Sequence, residues 1–499
     1  MQSASNQRNR NLHRPVRARR IIQGDWAYSP ITGLILAAVL LLLVGAATVY
    51  LAWDYMPETV QYYGRRLQSE FLPARPHPEG VPTPATTLSP EETLAQMGIA
   101  PAPSTTEQGE APAASVVEEP AGESASEQET TAGAPATTDE LATDAPAEAQ
   151  PEAPAAEVAA EQPAETTAEA PAEVVAPPAE AVVPAPAPIH TLPGAIAELT
   201  GVRHEYQGWN NCGPATLAMN LSYFGRAETQ NETAPFLKPD KDDKNVSPGE
   251  MAAYAHSIGY GAQVVQGGDV EFLKTLVANG LPVIVESWYI PDPNDEMGHY
   301  YLLTGYNGET LTFQDSYHGP NVQEAAAAFD EHWKVFNRTA VVIWPPEKAD
   351  LAASILGERA DEQKMFQQAL AVAQAEVSAN PQDKFAWFNL GTSLTALGDP
   401  AGAVQAFDTA RSLGLPWRML WYQFGPFQAY YDNGQYQEVI GLTTATLEGA
   451  GGNLEESYYW RGRAQAALGQ TDAARSDFQE AVRHNPSFAP AQHALSELP

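Results

Sequence analysis

The apolar positions change their period several times along the chain. Residues 31–53, ITGLILAAVLLLLVGAATVYLAW, run without alternation and carry no charge over 23 positions. At about 1.5 Å per helical residue, such a run crosses a hydrocarbon layer of roughly 30 Å and predicts one transmembrane helix. Residues 54–72 predict a short amphipathic juxtamembrane helix. From 73 to 190 the Pro, Ala, Glu and Thr-rich sequence has no period. It cannot bury enough apolar surface to offset the entropy of ordering it, which predicts a disordered linker. Helical spacing returns in CGPATLAMNLSYFG, SPGEMAAYAHSIGY and DVEFLKTLVANG. LPVIVESWY, HYYLLTGYN, ETLTFQDS and TAVVIWPP then read as strands, β-branched and aromatic between turn residues. Helices followed by antiparallel strands predict an α+β domain over 191–346. Residues 350–499 carry helical periodicity alone.

Charge refines this picture. The net charge is −35, from 62 acidic and 27 basic residues. A nucleic-acid partner needs clustered Lys and Arg, so none is expected. Residues 76–190 hold 21 of the acids and no Lys or Arg, which leaves the folded parts only moderately acidic. Self-repelling charge and proline keep that linker extended as a spacer. Arg8, Arg10, Arg14, Arg17, Arg19 and Arg20 precede the apolar run, and Asp54 and Glu58 follow it. The positive-inside rule therefore makes 1–30 a basic cytoplasmic tail and places everything after residue 53 outside the cell membrane. A cleaved signal peptide would have a shorter apolar core, roughly 7–15 residues, ending in small side chains. This one ends in Tyr50, Leu51 and Trp53.

The C-terminal third repeats itself. WFNLGTSLTALGDPAGAVQAFDTA aligns with YYWRGRAQAALGQTDAARSDFQEAVRHNP, matching Gly391 with Gly462, Ala403 with Ala474, Phe407 with Phe478 and Ala410 with Ala481. Units starting near 350, 384, 418 and 455 give a period of 34 with a slip at Gly451–Gly452–Asn453. This pattern resembles the tetratricopeptide repeat, an all-α solenoid whose concave face binds peptides or proteins.

The candidate chemistry lies in the α+β segment. Cys212 is the only cysteine, which excludes an intramolecular disulfide and a zinc site of paired cysteines. It stands at or just before a helix N-terminus, where the macrodipole and free N–H groups favour a thiolate. Alone, it reads better as a small buried hydrophobe than as a nucleophile. His299 opens an apolar strand and Asp315 closes the next. A turn at Tyr306–Asn307–Gly308–Glu309 makes the two a hairpin and sets imidazole beside carboxylate. Gln207, five residues before the cysteine, offers an amide to an oxyanion. Trp209, Gly298 and His318 are candidates for substrate contact, and Trp288 for core packing. Asp292 and Asp295 could hold a cation only loosely. His204, His256 and His332 show no ligand spacing, so no metal and no cofactor are expected.

Together, Q-x4-CGPA, GHYYLLTGY and QDS resemble the papain-like bacteriocin-processing peptidases, family thirty-nine of the cysteine peptidases. The resemblance implies a papain-like fold with Cys212 as nucleophile, His299 as base, Asp315 as its partner and Gln207 at the oxyanion. Asp315–Ser316 departs from the family's frequent Asp-Pro. The chain also has no transporter core, so the leader-peptide substrate does not carry over. The expected protein is a membrane-anchored, extracytoplasmic cysteine peptidase. It acts on a peptide or protein substrate, with a repeat domain that binds protein. A non-catalytic scaffold, or a transamidating or deamidating acyl transferase on the same fold, is the alternative.

Overall fold

A computed structural model of the protein describes residues 80–102, 190–289 and 296–499. The expected cytoplasmic tail, transmembrane helix, juxtamembrane helix and most of the linker lie outside the described residues, as do Asp292 and Asp295. Among the described residues, no helix is long and apolar enough to cross a membrane.

The first described segment corrects the reading of the linker. Composition predicts disorder over 73–190, yet residues 80–102 are folded around helix α1 (Pro90–Gln96). Ser89 and Glu92 form a capping box, each side chain accepting from the other's backbone N–H. Val81 and Leu94 are buried in the core of the C-terminal helices. Arg411 Nε donates to the Pro82 carbonyl at 2.8 Å, and the Ala102 N–H donates to Ser378 at 3.1 Å. A segment too polar to fold alone folds here because another domain supplies the core. Each large apolar side chain so buried contributes about 1.5–3 kcal/mol.

The middle domain is built from β1 (Ile196–Glu198), α2 (Cys212–Tyr223), α3 (Gln230–Leu237), α4 (Pro248–Ser257), β2 (Gly261–Val265) and α5 (Val270–Ala278). It continues with β3 (Val283–Tyr289), β4 (Met297–Asn307), β5 (Thr310–Asp315), β6 (Gly319–Ala325), α6 (Ala326–Lys334) and β7 (Ala340–Trp344). The strands form one antiparallel sheet in the order β2-β7-β3-β4-β5-β6, with β1 added to β4. Ile284, Leu302, Val341 and Ile343 pack beneath Leu217 and Leu221 of α2 and Met251 of α4. Val283, Val285, Leu303 and Val342 pack on the opposite face with Leu273 of α5 and Trp333 of α6. Both faces are covered, which is why β3 and β7 read as near-continuous apolar runs. The β4–β5 hairpin turns at Gly308, whose φ of 57° needs a residue without Cβ strain.

The remaining helices are α7 (Ala349–Leu356), α8 (Glu362–Ala379), α9 (Lys384–Ala396), α10 (Pro400–Ser412), α11 (Met419–Tyr422), α12 (Gly425–Asp432), α13 (Tyr436–Ala450), α14 (Glu455–Ala467), α15 (Thr471–His484) and α16 (Ala489–Glu497). The predicted register of the two best repeats holds in space. A Cβ on Gly391 would lie 2.8 Å from the Phe407 ring, and one on Gly462 2.7 Å from Phe478. Small residues there let the paired helices close on the phenylalanines. The unit expected from 418 is irregular, its first half split into α11 and α12. The boundary expected at 346–350 is blurred as well. Ala352, Ile355 and Met365 belong to the middle domain's core, while Trp288 and Phe336 belong to that of the repeats.

Candidate active site

Cys212 is the first residue of α2. The turn into the helix is tight: Asn210 has φ 52°, and a Cβ on Gly213 would lie 2.9 Å from Val246. Gln230 braces the loop before it. Its side-chain oxygen accepts from the Gly208 N–H at 2.6 Å and from Asn211 at 3.0 Å, and its amide donates to Glu205 and to the Tyr206 carbonyl. Lys238 donates to the carbonyls of Trp209 and Asn210. Burial pushes this lysine down to about 8, but it still acts on Cys212 as a cation.

The hairpin brings the other residues in. β4 and β5 pair with Tyr301 opposite Asp315. His299, two residues earlier on the same strand, places its Nε2 2.8 Å from Asp315 Oδ1. The same imidazole also hydrogen-bonds Cys212. Asp315 is fully buried, and both its carboxylate oxygens are engaged. Oδ1 also accepts from the Tyr317 N–H, and Oδ2 lies 2.5 Å from His318 Nδ1. His318 is thus a second histidine on the same aspartate, and it packs on Tyr289 and Tyr317. The Asp315 carbonyl is held by His204 Nε2 at 2.9 Å.

The electrostatics follow from these contacts. Burial raises the Cys212 thiol, but the His299 hydrogen bond and charge, Lys238 and the Gly213 N–H outweigh it and leave the thiol below its ordinary value. Burial disfavours the charged imidazole of His299, yet the charge and hydrogen bond of Asp315, with Cys212, push it up to about 10. Burial likewise opposes ionisation of Asp315, while His299 and His318 hold it well below the ordinary carboxylate range. The groups favour a thiolate beside an imidazolium.

Gln207 lies across the cleft. Its N–H donates to the Ser316 carbonyl, and its side-chain oxygen accepts from Ser316 Oγ, both at 2.9 Å. With the oxygen held, the NH2 end is available to the cavity of about 260 Å3 that Gln207, Cys212, His299, Trp209 and Gly298 line together. Trp209 is 52% exposed at its rim. Gly298 has a steric reason to be glycine: a Cβ there would lie 3.1 Å from Phe336 and from Tyr422 of α11. Trp288 is buried against those same two rings. Glu286 forms part of the cavity wall, pushed well above its ordinary value by burial. His318 borders the site through Asp315 and is not among the residues lining the cavity. Among the described residues, no group of His, Cys, Asp and Glu could hold a metal ion.

Lys238, Gln230, Ser316 and His204 were not legible as site residues. None has a motif of its own, and each reaches the site through a contact distant in sequence. Ser316 alone left a trace, as the departure from the family's Asp-Pro.

Residues 199–341 match the peptidase C39 like family, and residues 455–488 match the tetratricopeptide repeat. Solved structures similar to the chain include a Bacillus anthracis protein described as a C39-like peptidase. It is 18% identical over 30% of this chain and 96% of that one, with a TM-score of 0.27. A search of curated proteins gave no match. The middle of the chain is thus a C39-like domain, followed by a helical region that carries a tetratricopeptide repeat.

Proposed function

We propose that this C39-like domain is an active thiol peptidase. The observation that supports it is the hydrogen-bonded series Cys212–His299–Asp315 at the start of a buried helix. In this reading the Cys212 thiolate attacks a peptide carbonyl, forming the sulfur–carbon bond. The Gln207 amide, with the N–H groups at the start of α2, receives the oxyanion. The C–N bond then breaks as the His299 imidazolium gives its proton to the leaving amine. Water, deprotonated by His299, attacks the thioester, and the carboxylic acid product leaves as the thiolate–imidazolium pair is restored. Asp315 keeps the imidazole oriented throughout and stabilises its charged form whenever it carries the proton.

The proposal extends to location. The uncharged 23-residue run with six arginines ahead of it supports a single-pass anchor, N-terminus in the cytoplasm and catalytic domain outside. A membrane-impermeant thiol reagent should then reach Cys212 in intact cells, whereas labelling only after lysis reverses the orientation. For activity, a peptide library is incubated with the wild type and with Cys212→Ala and read by mass spectrometry. Products confined to the wild type are expected; identical spectra would leave a non-catalytic scaffold.

A further inference from the structure

The cavity over Cys212 does not stop at the middle domain. Trp209, Asn210, Lys244, Met297 and Tyr422 line it and also line a second cavity of about 850 Å3. That volume falls in the range of ligand-binding clefts. Its far wall comes from the repeat region: Trp417, Arg418 and Trp421 on one side, and the end of α13 with Glu448 on the other. The two cavities share one edge, so whatever occupies the larger one abuts the nucleophile.

Three features define what fits there. The walls present the rings of Trp209, Trp417, Trp421 and Tyr422 and the thioether of Met297, an apolar surface suited to a large side chain. Their charge has the opposite sign to the chain's. Lys244 and Arg418 against Glu448 give 2 − 1 = +1 among the lining residues, in a protein of −35. The Arg418 guanidinium is held over two ring faces, 4.5 Å from the Trp417 centroid and 5.2 Å from that of Trp421. Finally, Trp421 is 7% exposed, and its indole N–H has no hydrogen-bond partner among the described residues. A buried donor left without an acceptor is costly, and a ligand carbonyl would relieve that cost.

We propose that this groove binds an extended peptide segment that carries a large apolar side chain beside an acidic residue. The apolar side chain lies among the indoles, the carboxylate on Arg418 and Lys244, and a backbone carbonyl on the Trp421 N–H. The repeat region thereby selects what reaches Cys212. This rests on the reading of the Cys212 site as a peptidase, but its test does not need turnover.

The full chain carrying Cys212→Ala is titrated by fluorescence anisotropy with two labelled decapeptides. Both have a Leu-Phe centre, one flanked by glutamates and one by lysines. The glutamate peptide is expected to bind about tenfold tighter or better, which corresponds to about 1.4 kcal/mol. Arg418→Glu should erase or invert that preference, and Arg418→Lys should keep most of it. Trp421→Phe, which removes only the N–H and one ring, should weaken both peptides about threefold or more and leave the charge preference in place. Equal affinity for the two peptides, a preference that survives Arg418→Glu, or unchanged binding in Trp421→Phe overturns the proposal. Selective binding by a wild type that cleaves nothing would remove the peptidase reading and leave the groove. Cleavage without charge preference would remove the groove and leave the peptidase.

Discussion

The hydroxyl of Ser316 donates to the side-chain oxygen of Gln207 at 2.9 Å. A carboxamide can rotate by half a turn and present either end; with its oxygen engaged, this one presents its NH2 to the cavity beside Cys212. A proline after the aspartate could not supply that hydroxyl. Ser316→Ala is therefore expected to lower kcat/KM about tenfold, and Gln207→Ala by about 10²-fold or more, the usual loss of an oxyanion donor. Alkylation of Cys212 by iodoacetamide should be unchanged in both, because neither residue touches the thiol–imidazole pair. Full activity in Ser316→Ala would show that Gln207 is oriented by something else.

The Cys212–His299 pair sets the pH profile. The imidazolium is held up to about 10 by Asp315 and Cys212 against burial, and the thiol lies below its ordinary value. Such a pair titrates as a unit. Activity should rise as the thiolate forms and fall near pH 10, where the proton needed by the leaving amine is lost. Asp315→Asn takes away the charge that raises His299, so the alkaline limb should move down by a pH unit or more. The alkylation rate at pH 6 should fall with it, and kcat by about 10²-fold or more. An alkaline limb that stays in place in Asp315→Asn would mean that Asp315 is not what holds the proton.

Legibility from the sequence followed the local strength of each pattern. The three helices and four strands read in the middle domain are all present, because each carries an apolar period and turn residues of its own. β1, β2, β6, α3 and α6 escaped. β2 and β6 are edge strands, and β6 is mostly exposed, while α3 is polar and contains Pro235. His299 and Asp315 could be paired because a hairpin register is local. Gln230 and Lys238 could not be placed, because their contacts with the 205–211 loop exist only after the chain has folded back. The folding of residues 80–102 was invisible for the same reason: their core belongs to helices that begin roughly three hundred residues later.

Gly391 and Gly462 test the repeat packing. A methyl group at either position meets a buried phenylalanine ring at under 3.0 Å. Helix propensity alone would make Gly→Ala stabilising by up to about 1 kcal/mol. Overpacking of a filled core costs about 1–3 kcal/mol, so the net effect is expected to be destabilising. Urea unfolding of Gly391→Ala and Gly462→Ala should show a lowered midpoint, and adding Phe407→Leu to the first should recover part of the loss. A midpoint at or above the wild type's would mean that the ring yields without cost.

The contact between the two folded regions is itself a titrating structure. Asp243, just before α4, and Glu250 on α4 lie near Glu455 and Glu456 at the start of α14. Asn245 donates to Glu456 at 3.0 Å, bridging the regions through a carboxyl group, and Asn485 donates to Glu455 at 2.8 Å within the repeat region. Lys238 and the His484–Asp240 pair stand at the edge of the cluster. Burial, reinforced by the neighbouring acids, pushes Glu250 up to about 7 from an ordinary 4.5 and holds Asp243 and Glu456 well above their ordinary values. A carboxyl raised in this way binds more protons folded than unfolded, so its contribution to stability is complete below about 4.5 and is lost as pH rises towards about 7. His299 contributes in the same direction, but only above its ordinary 6.5, and the lowered Cys212 thiol works in the opposite direction, so a fall between pH 5 and 6.5 belongs to the carboxyl groups. The melting temperature should fall across that interval, by an amount on the order of 1–3 kcal/mol in stability. Glu456→Gln, which keeps the acceptor for Asn245 and cannot ionise, should flatten the slope and raise the melting temperature at pH 7.5. A flat wild-type profile, or a glutamine variant less stable than the wild type at pH 7.5, would show that the carboxyl groups ionise without strain and that this cluster does not couple the contact to pH.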